Sequence, residues 1–222
     1  MLLRFLSTIA LAPPALAAIW FGWPYFDAMV ILGGAIALME WFRVSKTDDM
    51  TSVGRVVWPI SGLLYIGVAC AGLLILRADP EQGRGLVVAF FAVIWATDIG
   101  AYLVGRAVGG PKLAPTISPK KTWSGAIGGA VCAMVAGFLT GNAMDLSHSS
   151  AVLLGIAGVI SVVSQIGDLV ESWWKRHFGV KDSGNLIPGH GGILDRIDGV
   201  LLASPVALAS HWLAHGGSMP WK

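Results

Sequence analysis

Apolar runs of roughly twenty residues, broken by short polar segments, fill the chain from end to end. A helix needs about 20 apolar residues to cross the hydrocarbon core of a bilayer. The pattern therefore predicts seven spans, at roughly 4–21, 26–43, 56–76, 86–104, 123–143, 151–173 and 193–214. The expected fold is all-α: one polytopic membrane domain over residues 1–222, with no internal repeat. Residues 1–85 read as plain scaffold helices, whereas 86–222 carry nearly all the polar groups that break the apolar pattern. Arg4, the apolar run after it and the small residues Ala15 to Ala18 imitate a signal peptide. The run continues into Trp20, Phe21, Trp23, Tyr25 and Phe26, an interfacial aromatic belt, so a retained first helix is expected.

Composition narrows the class. Mean hydropathy is +0.70, and the 55% hydrophobic share is far from a soluble globular balance. If the spans alternate, Arg4, Arg43, Lys46, Arg55, Arg106, Lys112, Lys120, Lys121, Lys175, Arg176, Lys181 and Arg196 fall on one side; only Arg77, Arg84 and Lys222 fall on the other. The positive-inside rule makes the basic side cytoplasmic and puts the N-terminus there. The net charge of +2 is too small to suggest a nucleic-acid partner. Cys70 and Cys132 both lie within spans and share no ligand spacing with histidine, so neither a zinc site nor a disulfide is indicated.

Against this apolar background the ionisable residues stand out. Ser161, Ser164, Asp168, Glu171 and Lys175 recur every three or four residues, which puts them on one helical face. Such a stripe is costly against lipid and must face protein or a water-filled cavity. Glu171 and Lys175 suit an i,i+4 ion pair, which leaves Asp168, a turn deeper, without a structural reason. Asp195 and Asp198 share a face at the start of the last span, where acidic residues also complement the helix dipole. With Asp168 they form an oxygen-donor set suited to Mg²⁺. The segment 179–192 between the two spans holds six residues that are Gly or Pro, a composition that lets backbone amides approach a phosphate before a helix N-terminus. Ser118-Pro119-Lys120-Lys121-Thr122 offers further cations at an expected helix start. Asp98, Tyr102 and Arg106 form a second polar stripe at i, i+4 and i+8. Basic groups and carboxylates at a membrane boundary point to phosphate chemistry. No P-loop is present, because Gly105-Arg106-Ala107-Val108-Gly109-Gly110 is followed by Pro111. His148, His211 and His215 have no charged residue at useful sequence spacing and read as structural.

The string Ser172-x-x-Lys175-Arg176, Lys181-Asp182, Pro188-x-His190-Gly191-Gly192-x-x-Asp195-Arg196-Ile197-Asp198 closely resembles the motif of the phosphatidate cytidylyltransferase (CDP-diacylglycerol synthase) family. Ser118 to Trp123 and Asp98, Ala101, Tyr102, Gly105 and Arg106 are similar to that family too. Ser124 departs from the Glu expected after Lys120-Lys121-Thr122-Trp123. The resemblance implies transfer of a cytidylyl group from CTP to phosphatidate, with Mg²⁺ and, as an option, a second monovalent cation. It also implies membrane lipid as a partner and offers a homodimer. The location it implies is a bacterial inner membrane, with the site facing the cytoplasm. On it, Asp168, Asp195, Lys175 and Arg196 are expected in catalysis, and Asp168, Asp195 and Asp198 around the metal. Ser118, Lys120, Lys121, Thr122, Arg176, Lys181, Asp182, His190, Asp98, Tyr102 and Arg106 are expected to bind substrate. Two other readings remain: a CTP-dependent kinase of polyprenols or other lipid alcohols, and an ion-coupled transporter.

Overall fold

The computed structural model describes residues 13–46, 51–186 and 191–214. Residues 13–21 are helical (α1). Six long helices follow: α2 (Tyr25–Ser45), α3 (Gly54–Ala78), α4 (Gly83–Val108), α5 (Trp123–Ala143), α6 (Ser150–His177) and α7 (Leu194–Ala214). All six are long and apolar enough to cross a bilayer. They match the expected spans from the second onward. The first expected span, 4–21, lies partly outside the described residues.

Helices α4 and α6 overrun their apolar stretches by about a turn, because an interfacial turn can carry charge and still be helical. In α6 the last turn adds Lys175, Arg176 and His177, cations that complement the negative C-terminal end of the helix. One element was not expected. Lys112–Ala114 (β1) and Ser118–Thr122 (β2) pair antiparallel, with Lys112 opposite Thr122 and Ala114 opposite Ser118. Hydropathy is blind to so short and polar a hairpin. The two lysines 120 and 121 thus sit on a strand that runs into α5, rather than on the helix itself.

Lipid tails are as apolar as leucine, so helix association in a membrane relies on close packing and interhelical hydrogen bonds. In α5, Gly125, Gly129, Ala133, Gly137 and Gly141 recur every fourth residue and are buried. A Cβ at Gly129 would come to 2.7 Å from the Thr97 carbonyl of α4, so the two backbones are nearly in contact. Elsewhere on α5, Ile127, Val131, Val135 and Leu139 are exposed at the same four-residue interval, a lipid-facing stripe. Between α6 and α7, a Cβ at Gly167 would meet the Asp198 carbonyl at 2.8 Å. Buried polar contacts add specificity: Thr97 Oγ1 donates to Ser161 Oγ at 2.8 Å, and Ser204 Oγ to the Ala69 carbonyl at 2.9 Å. Phe26, Leu76, Val87, Phe90 and Ala203 fill the centre.

The end of the bundle away from the hairpin is closed by Asp79, the residue after α3. Its Oδ1 accepts the amides of Glu81 at 2.9 Å and Gln82 at 2.7 Å, while Oδ2 lies 3.1 Å from His211 Nε2 of α7. Burial pushes this carboxyl up, but the hydrogen bonds from Gln82, Glu81 and His211 outweigh it and hold it below the ordinary value. Its stabilisation is complete above the unfolded-state pKa of about 3.9 and is lost as pH falls through the lower folded value. Asp79→Asn is expected to destabilise by about 1.5–3 kcal/mol at neutral pH, the range for a hydrogen bond to a charged group. The gap in thermal unfolding between variant and wild type should close below about pH 4. A gap that stayed constant with pH would contradict this role.

Candidate active site

The other end of the bundle gathers the C-terminal turns of α2, α4 and α6 with the starts of α5 and α7. The polar groups there arrive on several elements. The expected stripe on α6 does face inward, with Ser161, Ser164, Glu171 and Lys175 all buried. Asp168, half-buried, is held by Lys121 Nζ from β2 at 2.5 Å, and Ser172 Oγ donates to its Oδ1 at 3.3 Å. The close approach at Gly167 brings Asp168 into electrostatic reach of Asp198 on α7. Asp98 on α4 is within electrostatic reach of the same two carboxylates, and of Lys121 and Arg196. Asp98, Asp168 and Asp198, from three helices, are thus within electrostatic reach of one another, and Asp98 remains exposed.

Asp195 stands beside that cluster and is bound differently. Its Oδ1 takes Lys175 Nζ at 2.6 Å, and Lys175 also pairs with Glu171 at 3.0 Å. Its Oδ2 accepts three protein donors at 2.9 Å: Ser183 N, Ser183 Oγ and Gly192 N. A carboxylate oxygen has two lone pairs, so Oδ2 is saturated and one acceptor position remains on Oδ1. The carboxylate fixes the loop between α6 and α7 and aims Lys175.

Gly184, Gly191 and Gly192 of that loop sit against the protein's own carboxylates. Gly191, at φ +83°, would bring a Cβ to 2.7 Å from Asp195 Oδ2, and a Cβ at Gly192 would fall on Ser183 Oγ and Glu40 Oε2. The space they leave is taken by the protein's own carboxylates. The start of α7, expected to receive a phosphate, is already served: Glu40 of α2 accepts Ile193 N at 3.0 Å and Leu194 N at 2.9 Å. Glu40 is only 5% exposed, which makes it a buried acid serving a helix start from more than 150 residues away in sequence. Sequence reasoning passed over it. The available signal was a lone Glu in the apolar run Ala35-Ile36-Ala37-Leu38-Met39-Glu40-Trp41, and an ionisable group in such a run marks a site.

Other expected site residues divide into three groups. Thr122 is buried and caps α5, its Oγ1 accepting Gly125 N at 3.1 Å. Ser124 reaches back to the Gly109 carbonyl and lies 3.1 Å from Thr122 Oγ1, so it closes the base of the hairpin. Tyr102 and Arg106 pair with each other on the exposed face of α4, at 3.1 Å. Lys120, Arg176, Lys181 and Asp182 are exposed, Arg176 donating to the Val180 carbonyl at 3.0 Å, and Ser118 is half-buried in β2. His190, with Pro188 and Gly189, lies outside the described residues.

Comparison with known proteins places this arrangement. The sequence model of the Cytidylyltransferase family matches residues 48–214, from the start of α3 to the end of α7. The chain belongs to that family. It is 37% identical over 210 residues to the phosphatidate cytidylyltransferase of Rickettsia bellii (strain RML369-C), covering 92% of this chain and 87% of that protein. It is 54% identical over 147 residues to the phosphatidate cytidylyltransferase of Brucella suis biovar 1 (strain 1330), covering 66% of this chain and 54% of that protein. The corresponding figures for the protein of that name from Staphylococcus aureus (strain COL) are 41% over 147 residues, 66% and 55%. The matched region is about half the length of these last two relatives.

A family that handles nucleoside triphosphates raises the question of a divalent cation. Among the described residues, no three of His, Cys, Asp or Glu converge into a ready-made cage. The expected trio of Asp168, Asp195 and Asp198 is not brought together as one. Asp98, Asp168 and Asp198 nevertheless offer donors of the kind a hard ion takes, since all are carboxylate oxygens from helices within electrostatic reach of one another. Asp195 can add at most the remaining position on Oδ1.

Proposed function

We propose that this chain transfers the cytidylyl group of CTP to phosphatidate, giving CDP-diacylglycerol and pyrophosphate. The observation that carries this reading is the set of Asp98, Asp168 and Asp198, within electrostatic reach of one another and of Lys121, Lys175 and Arg196, on a member of the cytidylyltransferase family. An oxygen of the phosphatidate phosphate attacks the α-phosphorus of CTP in line. A new P–O–P bridge forms, the bond from the α-phosphorus to the bridging oxygen breaks, and pyrophosphate leaves with the electron pair. The attacking oxygen is already anionic, so no strong general base is needed. The task left to the protein is positioning and the neutralisation of phosphate charge.

Each group has a part in that task. Lys121, from the hairpin, and Arg196, from the first turn of α7, place fixed positive charge beside the carboxylates. Lys175 is held between Glu171 and Asp195, so its ammonium is oriented before substrate arrives. Exposed Lys120, Arg176 and Lys181 raise the local concentration of a triphosphate. Mg²⁺ on Asp168 and Asp198, with Asp98 and Asp195 Oδ1 at hand, would neutralise phosphate oxygens and stabilise the departing pyrophosphate. The acyl chains of phosphatidate stay in lipid while the head group reaches the polar end of the bundle. The twelve-to-three division of basic residues supports a site on the cytoplasmic face of a bacterial inner membrane.

Purified protein given Mg²⁺, phosphatidate and CTP is expected to release one pyrophosphate for each CTP consumed. Release of CDP instead would turn the reading to a lipid-alcohol kinase. CTP left intact, with flux across sealed vesicles, would turn it to a transporter.

A further inference from the structure

We propose that Glu40 is a positioning residue for the reaction, acting through Ser183 on Asp195 and so on Lys175. The role rests on the reading under Proposed function, because it presumes that Asp195 and Lys175 act on a bound triphosphate. Ser183 is buried and lies between two carboxylates, with its Oγ 3.0 Å from Glu40 Oε2 and 2.9 Å from Asp195 Oδ2. A serine hydroxyl has a single proton, so the two carboxylates share one donor. Each also accepts backbone amides from the same stretch of chain: Glu40 takes Ile193 and Leu194, and Asp195 takes Gly192 and Ser183. The two acids and the hydroxyl therefore clamp both arms of the α6–α7 loop to α2.

A second contact runs alongside. Trp41, next to Glu40, stacks on Trp174, next to Lys175, with ring centroids 4.1 Å apart and planes 11° from parallel. The end of α2 is thereby fixed against the two residues that hold the reacting charges, Lys175 on α6 and Asp195 on α7. Gly184 and Gly192 leave the room Glu40 needs: a Cβ at Gly184 would come to 2.8 Å from Glu40 Oε1. Glu40 itself, at 5% exposure, does not face the open end of the site. Its effect on the reaction passes through the geometry of Asp195.

This differs from a cap that merely stabilises α7. A cap changes how much protein is folded, whereas a positioning residue changes turnover per folded molecule. The test uses full-length wild type, Glu40→Gln, Ser183→Ala and the double variant, all in lipid nanodiscs. Measured for each are thermal unfolding, kcat and the KM for CTP. Glu40→Gln keeps the side-chain shape and should lower kcat by about 10–100-fold, the cost of a displacement approaching 1 Å, with KM little changed. Ser183→Ala, which leaves Glu40 bonded to Ile193 and Leu194, should also lower kcat. The double variant should be no worse than the poorer single one, because both act through one shared hydroxyl. If kcat per folded molecule is unchanged in both single variants, or if their losses simply multiply, the role is overturned. Should Glu40→Gln fail to fold, Ser183→Ala decides alone, and wild-type turnover in it overturns the role. A wild type that transfers no cytidylyl group overturns the proposed reaction and this role with it, an outcome told apart by the wild-type arm.

Discussion

Asp195→Ala is expected to lose both activity and stability, the largest combined effect of any single substitution in the site. The side chain is 6% exposed and collects Lys175 together with three donors from Ser183 and Gly192. Removing one partner of a buried ion pair costs about 3–5 kcal/mol when the other charge is stranded. Lys175 keeps Glu171 at 3.0 Å, which puts the expectation at about 3 kcal/mol, the lower end of that range. Two amides would also be left without their acceptor, and the loop between α6 and α7 would no longer be tied to the first turn of α7. Turnover should fall by at least about 10²-fold, since Lys175 loses its orientation. Thermal unfolding and product formation measured on the same preparation check both parts. A variant that unfolds like wild type would show that the buried contacts matter little, and one that turns over normally would remove Asp195 from the site.

Asp168→Asn should separate the two effects. Asp168 is about one-third exposed, and its partner Lys121 about one-quarter, so the ion pair between them adds only about 0–1 kcal/mol. Asn keeps the shape and can still accept from Ser172. The unfolding temperature should therefore stay close to that of wild type. Activity should not: losing a carboxylate from the Asp98, Asp168 and Asp198 cluster removes charge stabilisation worth several kcal/mol, or at least about 10²-fold in rate. Near-normal turnover in this variant would take the cluster out of the chemistry. A fall in stability comparable to that of Asp195→Ala would mean Asp168 is chiefly structural.

The contrast between these two aspartates marks the limit of what the sequence discloses. Periodicity said correctly that Ser161, Ser164, Glu171 and Lys175 share a face and that the face is buried. It also placed the later six helices, because roughly twenty apolar residues are a strong signal in a chain with so few charges. Spacing on one helix cannot say which residue of another helix stands opposite. Asp195 and Asp198, three residues apart, look equivalent in sequence. In three dimensions one binds Lys175 and the loop, whereas the other accepts Gly199 N and feels the charges of Asp168 and Asp98. Asp98 was legible as an acid within an apolar helix; the structure leaves its side chain exposed, and which carboxylates share its surroundings depends on how α4, α6 and α7 sit together, which spacing on one helix does not report. Glu40 was illegible for a related reason, since its partners lie 143 to 154 residues away. The glycines of the loop were read as space for a phosphate, and the nearest anions turn out to be Glu40 and Asp195. Composition can report that a backbone must be approached closely, but not by what.

The most direct test of the account is to supply the purified chain with Mg²⁺, phosphatidate and CTP labelled on its α-phosphate, and to follow the label into the lipid phase beside Asp168→Asn. Label is expected in a CDP-lipid with wild type, and almost none with the variant. Lipid that stays unlabelled with wild type, while an active control enzyme labels it, would contradict the proposed reaction.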